Sequence, residues 1–193
     1  LFVREGVGAI TMRKIAHAIE YSPTAIYLHF EDKETLIREL CIQDFAAMFQ
    51  RFQKAAAPGD PVARLRAIGR AYWKFAVAYP NHYRFMFMTP HPVLPLETPA
   101  HPDRDSYAFL VATVREGLAR GCFAPDVGDA DLLAQLCWGS LHGVIALHLT
   151  KCERTQRPDG SIADGDASEI PWVPLEETCE RAQAIFIRGI LAK

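Results

Sequence analysis

The chain has 193 residues, half of them hydrophobic, and carries 21 Lys and Arg against 23 Asp and Glu for a net charge of -2. This is enough apolar material for a buried core, in one domain or in a small domain joined to a larger one. The near-neutral balance excludes nucleic-acid binding through a global basic excess, so any phosphate-binding surface has to be local. Cys41, Cys122, Cys137, Cys152 and Cys179 form no CxxC pair. They suggest neither a zinc ribbon nor a thioredoxin-type site and read as reduced thiols of a cytoplasmic protein.

In chain order, residues 1 to 5 read as the end of a helix closed by Gly6, and a start at Leu1 rather than Met suggests that a piece of that helix precedes it. The opening LFVREG lacks the long apolar run of a signal peptide. GVGAIT has no third glycine and follows a helix, which excludes a dinucleotide fingerprint. Thr11 is placed to cap a second helix, MRKIAHAIE, with Ile15, Ala16 and Ile19 on one stripe. Ser22 caps a third, with Pro23 at its first position, where a missing N–H is harmless. Asp32 caps a fourth that starts near Lys33 and carries apolar residues at helical spacing from Leu36 to Phe52, reaching about Ala56.

APGDP breaks the chain, and residues 62 to 79 form a fifth helix stopped by Pro80. NHYRFMFM is a short aromatic helix, and TPHPVLPLETPAHP, with five prolines, reads as an extended surface loop. Helices follow from Ser106 to Gly121, from Asp129 to about Lys151, and from Pro174 to Leu191, the last two separated by a polar, Gly- and Asp-rich loop. No alternating run reads as a strand pair, so the fold class is all-α. Residues 132 to 150 carry no formal charge over nearly a membrane-spanning length. Gln135, Ser140, His142 and His148 argue for a helix buried between other helices, with no membrane partner.

Two short helices separated by a brief break, Thr11 to Glu20 and Ser22 to His29, have helix-turn-helix spacing. Ile15, Ala16, Ile19 and Ile26 can pack them together, while Ser22, Pro23, Thr24 and Ala25 leave a slim leading end that can approach base edges. Ile26 and Phe30 share one face as anchors. Tyr27 is turned away from them, and its hydroxyl, His29 and the Lys33 ammonium could each donate to one phosphate strand. A plain junction with the fourth helix is the competing use of Tyr27 and His29.

These residues, LFVREG followed by ITMRKIAHAIEYSPTAIYLHFEDKETLI, resemble the DNA-binding domain of the TetR/AcrR family of bacterial transcriptional regulators. The resemblance implies that Ser22, Pro23, Thr24, Ala25, Tyr27, His29 and Lys33 face DNA, with Thr11 and Arg13 beside them at the start of the second helix. Glu20 departs from it, standing where the family commonly has glycine. Over residues 1 to 56 seven basic residues meet seven acidic ones, so charge alone would bind DNA weakly. The implied organisation is a helix-turn-helix domain over residues 1–40 and a helical effector-binding and dimerisation domain over 41–193.

The second part is rich in large side chains, most of them core by spacing, and a pocket between helices is the remaining use for some. Tyr72, Phe75, Tyr83, Phe85, Phe109, Trp138 and His142 are the candidates for lining it. CWGSLHG resembles the Trp-x-x-x-His-Gly signature of a C-terminal domain in one subgroup of the same family. The family also implies a four-helix dimer bundle, for which Leu136, Gly139, Gly143, Leu147, Ala182, Ile185, Phe186 and Gly189 on the last two helices are placed. No HxxxH or HExxH pair suggests a metal, and WGSLHG is not GxSxG, so neither catalysis nor a cofactor is indicated.

The expected function is a homodimeric, effector-responsive regulator, a repressor released from a palindromic double-stranded operator by a small apolar or aromatic molecule. The competing expectation is a helical small-molecule-binding protein or enzyme whose helix-turn-helix is vestigial.

Overall fold

The computed structural model describes residues 1–56, 59–90, 105–152 and 172–192. Helix α1 spans Phe2–Glu5 and is closed at Gly6, with φ 79°; a 3-10 turn at Val7–Ala9 leads on. Helix α2 is Met12–Ala18, α3 Pro23–Tyr27 and α4 Lys33–Ala55. All three start as their sequences dictate. Thr11 Oγ1 accepts the Lys14 N–H at 3.2 Å, Ser22 Oγ the Ala25 N–H at 3.1 Å, and Asp32 Oδ1 the Thr35 N–H at 2.7 Å. The body consists of α5 Pro61–Ala78, α6 Pro80–Met88, α7 Ser106–Ala119, α8 Ala130–Leu147 and α9 Leu175–Ile190.

Some boundaries differ from those the sequence suggests. Pro80 does end α5, yet it also occupies the first turn of α6, where its fixed φ suits a helix start. Helix α2 stops at Ala18, so Ile19 becomes the C-cap residue and lies 52% exposed instead of joining the stripe of Ile15 and Ala16. Helix α8 continues as a π turn over His148–Cys152. The proline-rich and polar loops expected near 89–102 and 152–174 lie largely outside the described residues.

Three apolar clusters hold the chain together. Ile10, Met12, Ile15, Ala16, Ile26 and Leu36 form a head around α2, α3 and the start of α4. A body core gathers buried residues from α4 through α9, with α5 at its centre, packed by α4, α7 and α9. Ile37, Cys41 and Phe85 lie between the two. Helix α9 comes close to α5 at Gly69, where an added Cβ would collide with the Gln183 amide. By length and composition the segment Ala130–Lys151 could cross a membrane. In this fold it instead packs against α7 and α9 and buries Leu133, Ala134, Leu141 and Ile145.

Candidate functional site

The head presents a polar face. Ser22, Pro23 and Thr24 at the front of α3 are exposed, as are Thr11 and Arg13; Ala25 is half-buried. Tyr27 is 54% exposed while its neighbour Ile26 is buried, the separation that a 100° turn per residue produces. His29 is exposed but lies past the end of α3. The turn between α2 and α3 passes through Glu20 at φ 59°, the single non-glycine residue at positive φ among those described. The turn thus keeps its left-handed step and places a carboxylate side chain in it.

Lys33 makes internal contacts that its sequence position did not show. Its Nζ donates to the Val7 carbonyl at 2.9 Å and the Ile10 carbonyl at 3.0 Å, turning the ammonium inward to hold the α1–α2 connection. The Val7 carbonyl also accepts the Ile10 N–H at 3.4 Å, and the ammonium adds a charged donor to it and to the Ile10 carbonyl. Lys14 ties the same region, reaching Glu5 Oε2 at 3.2 Å and the Ala9 carbonyl at 3.1 Å. That contact holds the Glu5 carboxyl below its usual range. Leu28, 80% exposed, and Tyr21, 64% exposed, flank the polar face and were not singled out from sequence. The period that turned Tyr27 outward could have found Leu28 as well, but two successive large exposed residues run against burial statistics.

The body holds a partly open cavity of about 820 Å³, within the range of small-molecule sites. Helices α4 to α9 all contribute to its wall, and no Asp, Glu, Lys or Arg is among the described residues that line it. Tyr72, Trp138 and His142 line it as expected from sequence. Tyr83 is fully buried immediately behind them and bonds to both Tyr72 and His142. Phe75, Phe85 and Phe109 do not line it. Phe75 faces Tyr79 and Arg51, Phe85 packs between head and body, and Phe109 meets Phe49 edge-on. Helical spacing marks these three as inward-facing without revealing which helix each one faces. Phe45, Met48, Phe52 and Tyr107 also contribute to the apolar wall and were missed, and Phe87 joins them from the aromatic helix α6.

A hydrogen-bonded chain crosses one end of the cavity. Trp138 Nε1–H donates to Tyr72 Oη at 2.9 Å, the two tyrosine hydroxyls lie 2.8 Å apart, and His142 Nδ1 is 2.6 Å from Tyr83 Oη and 3.2 Å from Tyr72 Oη. Burial pushes both tyrosines well above their ordinary pKa, so both keep their protons. Burial also lowers the His142 pKa, favouring a neutral ring. The thiols of Cys137 and Cys179 are raised to about 12 by burial, which leaves them unreactive. No group of three or more His, Cys, Asp or Glu arranged to hold a metal occurs among the described residues.

The outer faces of α8 and α9 expose Leu136 at 48%, Leu147 at 56% and Ile185 at 60%. A Cβ added at Gly139, Gly143 or Gly189 would meet nothing within 4 Å. Ala182 is half-buried beside them. Gly139 and Phe186, both expected at the interface, also line the cavity, and Phe186 is half-buried there.

Residues 65–161 match the model of the tetracyclin repressor-like C-terminal domain, and residues 1–40 that of bacterial regulatory proteins of the tetR family. The chain belongs to the TetR family. No curated protein matches it in sequence. Among solved structures, it resembles a protein of unknown function from Rhodococcus sp. RHA1 at 23% identity and TM-score 0.65, covering 99% of this chain and 89% of that one. It also resembles the ketosteroid transcriptional regulator KstR2 of Mycobacterium tuberculosis at 20% identity and TM-score 0.62, with coverages of 100% and 90%. The fatty acid degradation regulator FadR from Bacillus halodurans aligns at 17% identity and TM-score 0.70, with coverages of 97% and 89%. At these identities the structures establish a shared fold: this TetR-family chain is all-α, with an N-terminal helix-turn-helix joined by the long α4 to a larger helical body.

Proposed function

We propose that this TetR-family protein is a cytoplasmic, homodimeric repressor, released from a palindromic operator when a small apolar effector enters the body cavity. The observation that carries the reading is the placement of α4. Its first turns contribute Leu36 to the head core, and its later turns contribute Met48 and Phe52 to the cavity wall. A ligand that prefers one position of α4 would therefore bias the angle of the head. The ketosteroid transcriptional regulator that shares this fold is named for an apolar, ring-bearing compound, in keeping with a wall free of charged side chains among the described residues.

Under this reading Thr11, Arg13, Ser22, Pro23, Thr24, Ala25, Tyr27 and His29 meet the operator, and Lys33 supports them from behind. Leu136, Gly139, Gly143, Leu147, Ala182, Ile185 and Gly189 form the dimer face, which sets two recognition helices about 34–36 Å apart for successive major grooves. Electrophoretic mobility of the full chain on DNA upstream of its own gene tests the proposal. Salt-sensitive, sequence-selective binding is expected. Its absence would favour a small-molecule-binding protein or enzyme with a vestigial helix-turn-helix.

A further inference from the structure

The hydrogen-bonded chain behind the cavity has a direction. Indole N–H is donor-only, so Tyr72 Oη must accept from Trp138. Three protons then need acceptors: those of Trp138, Tyr72 and Tyr83. If His142 Nδ1 accepts, all three are placed, running from Trp138 to Tyr72, from Tyr72 to Tyr83, and from Tyr83 to Nδ1. If Nδ1 instead carried the proton, Tyr83 would donate to Tyr72, and the Tyr72 proton would be left without an acceptor among the described residues. Tyr72 is 4% exposed, and a buried hydroxyl proton without an acceptor is the costlier arrangement.

A neutral ring that accepts at Nδ1 carries its proton at Nε2. Nε2 has no partner among the described residues. It is not sealed in protein either, since Trp73 Nε1 is the buried side-chain polar atom left unpaired there. His142 lines the cavity, and its ring is surrounded by Tyr83, Phe87 and Trp138 at centroid distances of 5.7, 5.8 and 6.2 Å. Of the other polar side chains on the wall, the Ser140 hydroxyl donates to the Cys137 carbonyl and the Gln183 amide to the Leu65 and Arg66 carbonyls, while Ser106 and Gln135 also line the cavity but are not among the ring-bearing groups around His142.

We propose that the effector is an uncharged molecule with an apolar, ring-bearing body and a carbonyl-type oxygen that accepts from His142 Nε2–H. The inference rests on the effector reading above and specifies its chemistry. Among the described lining residues a carboxylate would find no cation and an ammonium no anion, each at a large desolvation penalty. A pure hydrocarbon would fill the cavity yet leave the donor unpaired.

Calorimetric titration of the full chain with matched probes tests this: benzophenone and 4-benzoylbiphenyl, their methylene counterparts diphenylmethane and 4-benzylbiphenyl, and 4-benzoylbenzoate. Each ketone should bind about fivefold more tightly than its methylene partner, the difference expected of one neutral hydrogen bond. The benzoate should bind more weakly than either. In His142→Phe, which keeps a ring in place, ketone and methylene compound should bind alike. Nitrogen-15 NMR of histidine in the unsubstituted protein, which depends on no variant folding, should find His142 neutral with its proton on Nε2. Equal binding of ketone and methylene compound, tighter binding of the benzoate, no binding of either ketone, or a proton on Nδ1 would each overturn the proposal. Operator binding by the same preparation separates the two readings. DNA binding without ketone selectivity leaves the regulator standing and removes this effector class; ketone selectivity without DNA binding does the reverse.

Discussion

Phe85 of α6 stacks on Phe2 of α1, with ring centroids 5.4 Å apart and planes at 24°. Two residues earlier on the same helix, Tyr83 bonds to His142 at the cavity. Helix α6 therefore touches the head with one face and the cavity-side hydrogen-bonded chain with another. Phe85→Ala should lower stability by ~3 kcal/mol in urea denaturation, the usual loss for a buried phenyl. Because Phe85 does not line the cavity, effector affinity should change little while release of DNA by the effector weakens. A variant that loses affinity and release in parallel would contradict this coupling.

Lys33→Ala distinguishes phosphate contact from internal support. Loss of its two carbonyl contacts should cost ~2 kcal/mol of stability. DNA affinity should fall with the loosened head, but the slope of log affinity against log salt should stay as it was. A slope flattened by about one charge would restore Lys33 as a phosphate ligand.

At Glu20 the backbone adopts φ 59° and the residue is exposed. A side chain in the left-handed region costs ~1 kcal/mol that glycine avoids. Glu20→Gly should accordingly raise the urea midpoint, and removal of a carboxylate from the DNA-facing head should strengthen operator binding at low salt. A lowered midpoint would mean that the carboxylate makes a contact in solution that offsets the strain.

Protonation of His142 should destabilise the fold. An unfolded imidazole titrates near ~6.5, and burial lowers that value in the folded chain. Between the two values the unfolded state holds a proton that the native state does not, so stability rises with pH through this window and falls as pH drops below ~6.5. Urea midpoints measured on either side should differ less in His142→Phe than in the unsubstituted protein.

Gly143→Leu tests the α8 face. The added side chain meets no atom within 4 Å in a single subunit, so the fold should survive with unchanged circular dichroism. Light scattering should report a weakened dimer, since a glycine that admits a partner helix closely does not accept an isobutyl group. An intact dimer would move the interface elsewhere.

The local signals in this chain were written plainly enough to read without coordinates. Thr11, Ser22 and Asp32 each cap the helix they precede, because an N-cap depends only on the few residues around it. The spacing of Ile26 and Tyr27 separated core from surface on α3, and the run from Leu36 to Phe52 fixed a helix long enough to join two bodies. Trp138 and His142 pointed to the body site for a similar reason, since residues four apart share a helix face.

What periodicity cannot report is the element that a face meets. Phe75, Phe85 and Phe109 all point inward, yet none reaches the cavity, because each meets a different helix. Lys33 is exposed by every local rule, and only the fold brings the Val7 and Ile10 carbonyls, more than twenty residues away, within reach of its ammonium. The Tyr72, Tyr83 and His142 chain likewise joins three helices over sequence separations of 11 to 70 residues. The sequence by itself therefore determined the helices, their caps and the family. The tertiary structure decided which side chains share the cavity and which cation turns inward, because hydrogen bonds between distant residues exist only once the helices have packed.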